Sequence, residues 1–270
     1  LSSYPGVPER NPEVAIRWVE KAMTLGVPDA YDQMGVYHQR GLVKGGNATS
    51  AYAFFQRAAD MGSPSAMTFL GDKLGGTYDS PDGDFWGNRP IAIEMLQCAV
   101  AQGYGNAAYE LGFYQQSGYS VEAKVQALRT FHEGVKLGCA KCANNIASEF
   151  RGFGLADGEN LIGYVDQFRA RRYKVIGNAL EHYQGRLKLP NLDKVLPLPP
   201  APLPKWDGDA KTLIDAAKAT TPSFKKNAVP PLDGRGHISR DVDTLPVDHG
   251  PYTVSTTFEL STVDRLLVSN

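Results

Sequence analysis

The chain has 270 residues, 28 basic against 29 acidic side chains, a net charge of −1 and 42% hydrophobic residues. That is ample apolar material for one large or two modest domains, and it lacks the basic excess that nucleic-acid binding needs. No window reaches the roughly 20 apolar residues of a membrane span, and a start at Leu1 rather than Met fits an exported chain whose leader has been removed.

In chain order, the first feature is a repeat. Segments closing on Gly26, Gly62, Gly103 and Gly138 align with spacings of 36, 41 and 35. Four residues after each glycine stand Ala30, Ala66, Ala107 and Cys142; eight after, Met34, Leu70, Leu111 and Ile146; nine after, Gly35, Gly71, Gly112 and Ala147. Before each glycine the agreement continues: Ala22, Ala58, Ala99 and Gly134 at four, Val19, Phe55, Leu96 and Phe131 at seven, Ala15, Ala51, Ala92 and Ala127 at eleven. Offsets of 4, 8 and 11 follow one helix face, so each period holds two helices. A glycine inside a helix costs about 1 kcal/mol relative to alanine, so its recurrence at 35, 71 and 112 points to a close approach between the first helix and its partner. Asn11-Pro12, Asp29 and Ser63-Pro64 read as helix starts, and the closing glycines as helix ends.

The copies AYDQMGVYHQRG (30–41) with AYAFFQRAADMG (51–62), and AAYELGFYQQSG (107–118) with VQALRTFHEGVKLG (125–138), resemble the Sel-1-like repeat, a relative of the tetratricopeptide repeat. The resemblance spans residues 12–150 and implies a mainly α fold, an α/α solenoid of helix pairs whose task is to bind other proteins. Non-core helix positions such as Gln33, Tyr37, Glu110 and Tyr114 are then the candidate partner contacts. Gly134 and Ala147 depart from the pattern in the last copy, which predicts that the solenoid ends or is capped there.

The second copy carries an insert, GGTYDSPDGDFWGN (75–88). Its Asp79, Asp82 and Asp84 lack EF-hand spacing and no twelfth-position Glu follows, whereas Phe85 and Trp86 are either core plugs or anchors for a partner. Of the three cysteines, Cys139 and Cys142 form a CAKC pair that fits small buried thiols, a local disulfide, or half of a metal or redox site; no second CxxC or nearby histidine pair completes a zinc site. Residues 160–188 read as a further helix with Tyr164, Phe168, Val175, Ile176, Ala179 and Leu180 on its apolar side. Arg169, Arg171, Arg172 and Lys174 form a basic cluster there, either a solvated face or a contact for an acidic partner.

Then comes LPLPPAPLPKWDG (196–208), read as a strap of extended chain with its leucines and Trp206 packed inward and Asp207-Gly208 turning it into a short helix at 210–219. Residues 220–250 look loop-like; YTVSTTFEL (252–260) and DRLLVS (264–269) alternate or cluster as strands do. The domain reading is a repeat solenoid with a capping helix over 1–188 and an irregular C-terminal extension over 189–270, holding a short helix and one or two β-strands.

The proline stretch with its Trp-Asp-Gly resembles a module that follows Sel-1-like repeats in periplasmic immunity proteins, which neutralise phospholipase D-type lipase effectors of type VI secretion. The resemblance implies a periplasmic inhibitor that occludes a toxin's active site or its approach to the membrane; a general Sel-1-like adaptor is the alternative. No HExxH, G-x-S-x-G, P-loop or G-x-G-x-x-G occurs, and no phospholipase D histidine run, so neither catalysis nor a cofactor or metal is expected.

Overall fold

The computed structural model describes residues 12–75, 87–118 and 120–218. The expected insert residues 76–86, the first eleven residues and everything from residue 219 on, including both expected strands, lie outside the described residues. The chain divides after Thr221 into two units, and the described residues all belong to the first.

The described residues are helical, in this order: α1 (Pro12–Thr24), α2 (Pro28–Gln39), α3 (Ala48–Asp60), α4 (Pro64–Gly75), α5 (Arg89–Ala101), α6 (Gly105–Gln116), α7 (Val121–Lys136), α8 (Ala140–Phe150), α9 (Gln167–Tyr183), α10 (Leu192–Val195) and α11 (Ala210–Ala217). α2 packs along α3, α4 along α5, α6 along α7 and α8 along α9. The first member of each pair also touches the first member of the next, from α2 to α4 to α6 to α8. This is a solenoid of helix pairs, as the repeat requires.

The turns between pairs follow from the closing glycines. Gly26, Gly62, Gly103 and Gly138 take φ of +73°, +96°, +82° and +91°, which a side chain disfavours. At the last of them the Gly138 amide donates to the Val135 carbonyl at 3.0 Å and the Cys139 amide to the Gly134 carbonyl at 2.9 Å, the two bonds of a Schellman cap; the other three glycines repeat the pattern. Pro12 and Pro64 open α1 and α4 as expected. Asp29 is not a cap: Pro28 takes the first helical position, Val27 caps without a side-chain bond, and the Asp29 carboxylate instead accepts the Ser63 hydroxyl at 2.7 Å. The two helix starts are thereby tied together.

The glycines inside α2, α4 and α6 are steric. A methyl on Gly35 would lie 2.7 Å from the Phe55 ring, on Gly71 2.8 Å from Leu96 and on Gly112 2.5 Å from the Phe131 ring. What the glycine clears is therefore chiefly the large residue seven positions before the closing glycine, with backbone approach second. We expect Gly112→Ala to lose about 1–3 kcal/mol by overpacking, despite alanine's better helix preference; an unchanged midpoint in chemical denaturation would refute it.

The fourth pair keeps the geometry with exchanged parts. Cys142 fills a place that alanine holds in the other copies, and Gly134 makes room for it: a methyl there would sit 2.6 Å from the Cys142 sulfur. Cys139 and Cys142 are joined by a disulfide and both are fully buried. Ala147 replaces the helix glycine, while on α9 a methyl on Gly177 would lie 2.7 Å from the Asn144 side-chain oxygen. The stack consequently does not end at residue 150.

Residues 187–218 seal that far end. Leu187, Leu189, Leu192, Leu196, Leu213 and Ala217 are buried in one core with Phe131, Ile146, Phe150, Tyr173 and Ile176, and Leu198, Leu203 and Trp206 pack against it. No break in the core falls between residues 188 and 189. Arg169 and Arg172 hold the strap. Arg169 donates to the carbonyls of Pro197 and Ala201 and pairs with Asp166 at 2.6 Å; Arg172 donates to Val195 O at 2.6 Å and to Pro204 O. Trp206 donates its Nε1–H to Asp209 O at 2.8 Å. Asp207 accepts from the Asp209 amide and the Thr212 hydroxyl, and Asp209 caps α11.

Candidate partner-binding edge

Because the first helix of each pair runs out and the second runs back, the described connections from first to second helix, within residues 40–47, 117–120 and 151–166, fall on one edge. Many of the large apolar side chains that remain exposed lie there, although Val14, Trp18, Leu25, Val27, Tyr52 and Tyr183 are exposed elsewhere. Leu42, Ile91, Phe113, Val121 and Val125 lie along the edge, and Phe153, Leu155, Tyr164, Val165 and Phe168 crowd its far end. Phe153 is 72% and Phe168 80% exposed, far beyond what a residue of that size gains in water. Insertions into solenoid repeats map to such an edge, which is often the binding side.

The 151–166 connection is rigid in spite of its length. Asn160 is buried, and its amide donates to Glu149 O at 2.9 Å and Phe153 O at 2.6 Å while its carbonyl accepts from Ile162 N at 2.9 Å and Gly163 N at 2.7 Å. Four bonds use the whole capacity of the side chain on the backbone of the loop and of the last turn of α8. Glu149, also buried, accepts the Leu161 amide at 2.8 Å; burial raises its pKa, which that bond and Lys124 partly offset. The Asp166 amide returns to Phe150 O at 2.8 Å, and the Lys124 ammonium donates to Gly158 O. Rings held out on a pre-ordered loop lose little entropy on binding, the condition for a strong anchor.

The residues singled out in the sequence fall in three places. Gln33 and Tyr37 on α2 and Glu110 and Tyr114 on α6 are partly buried. Tyr114 donates to Gly71 O at 2.9 Å, and the Arg89 guanidinium sits 5.4 Å from its ring, near the edge. Burial raises the Glu110 pKa, with Asp72 adding to the rise and Lys141 and Lys73 opposing it. Phe85 and Trp86 lie outside the described residues. Arg171 is exposed, 5.5 Å from the Trp206 ring, whereas Arg172 is buried. Of the basic cluster, then, Arg169 and Arg172 do not form a solvated face; their guanidinium groups serve the strap's carbonyls.

Sequence reasoning missed the loop anchors. It began the helix at 160, whereas α9 starts at Gln167, leaving Tyr164 and Val165 before the helix and Phe168 pointing out. The signal was the punctuation Gly152, Gly154, Asp157-Gly158, Asn160 and Gly163, four glycines at positive φ within twelve residues.

The described residues hold no group of three or more side chains placed to take a metal ion. One chain of titratable groups, Tyr173–His132–Asp193, has bonds of 2.7 Å at both histidine nitrogens, but Tyr173 and His132 are buried in the core and serve to join α7, α9 and α10.

Residues 3–27, 28–63 and 64–104 match the Sel1 repeat. The chain carries Sel1 repeats. The α6–α7 pair lies beyond those matches yet repeats the glycine–phenylalanine contact of the earlier pairs. Residues 143–229 match a domain of unknown function (DUF6396), whose span runs from α8 through the strap and α11. Among solved structures the Sel1 solenoid is similar to Pseudomonas aeruginosa 5086 (PA5086), with 27% identity, a TM-score of 0.56 and 74% of this chain against 72% of that one. It is also similar to the immunity protein Pa5087 from Pseudomonas aeruginosa, with 29% identity, a TM-score of 0.54 and coverage of 74% and 71%. No curated protein matches the chain.

Proposed function

We propose that the protein is an immunity protein that binds a cognate toxic effector and blocks it without catalysis of its own. The observation that carries this reading is the similarity to immunity protein Pa5087 over nearly three quarters of both chains. The apolar edge supplies the means: a rigid cluster of aromatic anchors with Arg151, Asp157 and Glu159 exposed around it, the core-and-rim composition of a tight interface. The effector is a lipase, as the Pro-Trp-Asp-Gly stretch implies by its resemblance, and the site of action is the periplasm. The Cys139–Cys142 disulfide supports an oxidising compartment.

The test is protection. Cells making the lipase effector encoded beside this gene should survive when the chain is exported with it and not when it is retained in the cytoplasm. The purified chain should bind that lipase, and Phe153→Asp with Phe168→Asp should weaken binding at least a hundredfold, about 2.7 kcal/mol, with an unchanged thermal midpoint. A chain that binds no neighbouring lipase sinks the reading; capture of several unrelated partners and no effector would return it to a general Sel1 adaptor.

A further inference from the structure

Arg169 and Arg172 are buried alike, yet only the first has a counter-ion. Arg169 pairs with Asp166 at 2.6 Å. Arg172 is 6% exposed and meets the carbonyl oxygens of Val195 and Pro204, and among the described residues no carboxylate forms an ion pair with it. A guanidinium has five N–H donors, so two bonds leave three. Buried charges are ordinarily paired, and a cation without an anion is costly to hold in an interior. Burial and the charge of Arg169 lower the Arg172 pKa, with Asp166 opposing them, as expected of a cation whose charge is not neutralised.

This cation borders a cavity. About 190 Å³ lie between the strap and α11. Val195 and Pro204, whose carbonyls hold the guanidinium, line the cavity together with Arg172 itself, so the guanidinium stands at its wall. Trp206 and Leu213 add apolar surface, and Lys205, which is exposed, brings a second cation. Asp207 is the one carboxylate among the described lining residues. Its Oδ1 already accepts the Asp209 amide at 2.9 Å and the Thr212 hydroxyl at 2.8 Å. Two cations therefore face one engaged carboxylate, and Arg171, 5.5 Å from the Trp206 ring, stands close by as a third.

We propose that this cavity binds a small carboxylate with an apolar body, its head against Arg172 and Lys205 and its body against Trp206 and Leu213. The volume sets the size, because sites for larger ligands run from about 300 Å³ upward. The apolar walls select the body, and the planar guanidinium suits a carboxylate head. A free apolar acid and the end of a peptide chain with an apolar last residue share this chemistry. The site is independent of the effector reading, and binding to it is measured without an effector.

The chain has three tryptophans. In the full chain with Trp18→Phe and Trp86→Phe, Trp206 fluorescence reports the cavity while phenylacetate is titrated at constant ionic strength. A saturable change is expected, with a dissociation constant in about the millimolar range or below, and none with phenylacetamide, which has the shape without the charge. Lys205→Glu should weaken binding about tenfold or more. Ala216→Phe, at an exposed lining position of α11, should abolish it by filling the space. Both variants should keep the parent's thermal midpoint without ligand. The peptide Gly-Gly-Phe and its amide, run in parallel, separate the two sources: the acid that binds more tightly names the source, and either one supports the site. The proposal is overturned if neither acid saturates, if the amides bind as well as the acids, or if inorganic phosphate binds as well as either. Binding unchanged by both Lys205→Glu and Ala216→Phe overturns it too.

Discussion

Replacing Arg172 with Ala is expected to destabilise the protein by about 3 kcal/mol, because a charged donor making two carbonyl bonds is removed and charge-assisted hydrogen bonds each contribute about 1.5–3 kcal/mol. The guanidinium reaches Val195 O at 2.6 Å and Pro204 O with its two arms, and its Cζ lies 5.5 Å from the centroid of the Trp206 ring. One side chain of α9 therefore fixes the strap at two points separated by nine residues, across a proline-rich segment that offers few amide donors of its own. Lysine keeps the charge but not the fork, so Arg172→Lys should recover less than half of the loss. Urea denaturation gives the stability, and Trp206 fluorescence shows whether the strap lifts before the helices melt. Equal midpoints for the parent and both variants would refute the clamp.

Mild acid should weaken the same junction through His132. Its ring is buried in the core, and burial holds its pKa below the ordinary 6.5 in spite of the hydrogen bond and charge of Asp193, which pull it up; Lys136 adds to the lowering and Glu133 opposes it. The neutral ring fits its partners: Nε2–H donates to Asp193 and Nδ1 accepts the Tyr173 hydroxyl, which burial keeps protonated well above the usual tyrosine range. On unfolding the ring takes up a proton near its ordinary value. Stability therefore falls as pH drops below about 6.5 and levels off once pH passes the lower folded value.

Asp193 acts in a lower window. Burial pushes its pKa up, but hydrogen bonds from Lys136 and His132 outweigh this and hold it below the usual range. Its contribution is present above about 3.9 and is lost as pH falls through the folded value. His132→Gln should flatten the decline between neutral pH and 5.5 and cost about 1–3 kcal/mol at neutral pH, since one amide cannot serve Tyr173 and Asp193 alike. Thermal midpoints measured across that window decide it. A parent protein with a level profile, or a variant with the parent's slope, would show that His132 is not the group responsible.

The sequence alone specified the helix pairs from α2 to α7, the glycine turns that close them and their contact pattern. A Schellman turn needs a residue at positive φ and a helix glycine needs an overlying neighbour, so both requirements are written as glycines at fixed offsets, Gly26 to Gly138 and Gly35 to Gly112. The inward strap was legible for a similar reason: prolines forbid a helix, and leucines and a tryptophan beside them must find a core.

Only the tertiary structure decided which charges are spent and which rings are left over. Arg171 and Arg172 are neighbours with the same chemistry in sequence, yet 100° of helix rotation puts one in solvent and the other under the strap. The 151–166 loop was unreadable as a binding edge because Phe153 and Phe168 look like core residues until the packing is complete and no place remains for them. In the same way the small face of α1 reads as buried in the repeat pattern. In the structure α1 nonetheless holds no buried residue, because burial belongs to a pair of helices and among the described helices α2 is the one that packs along it.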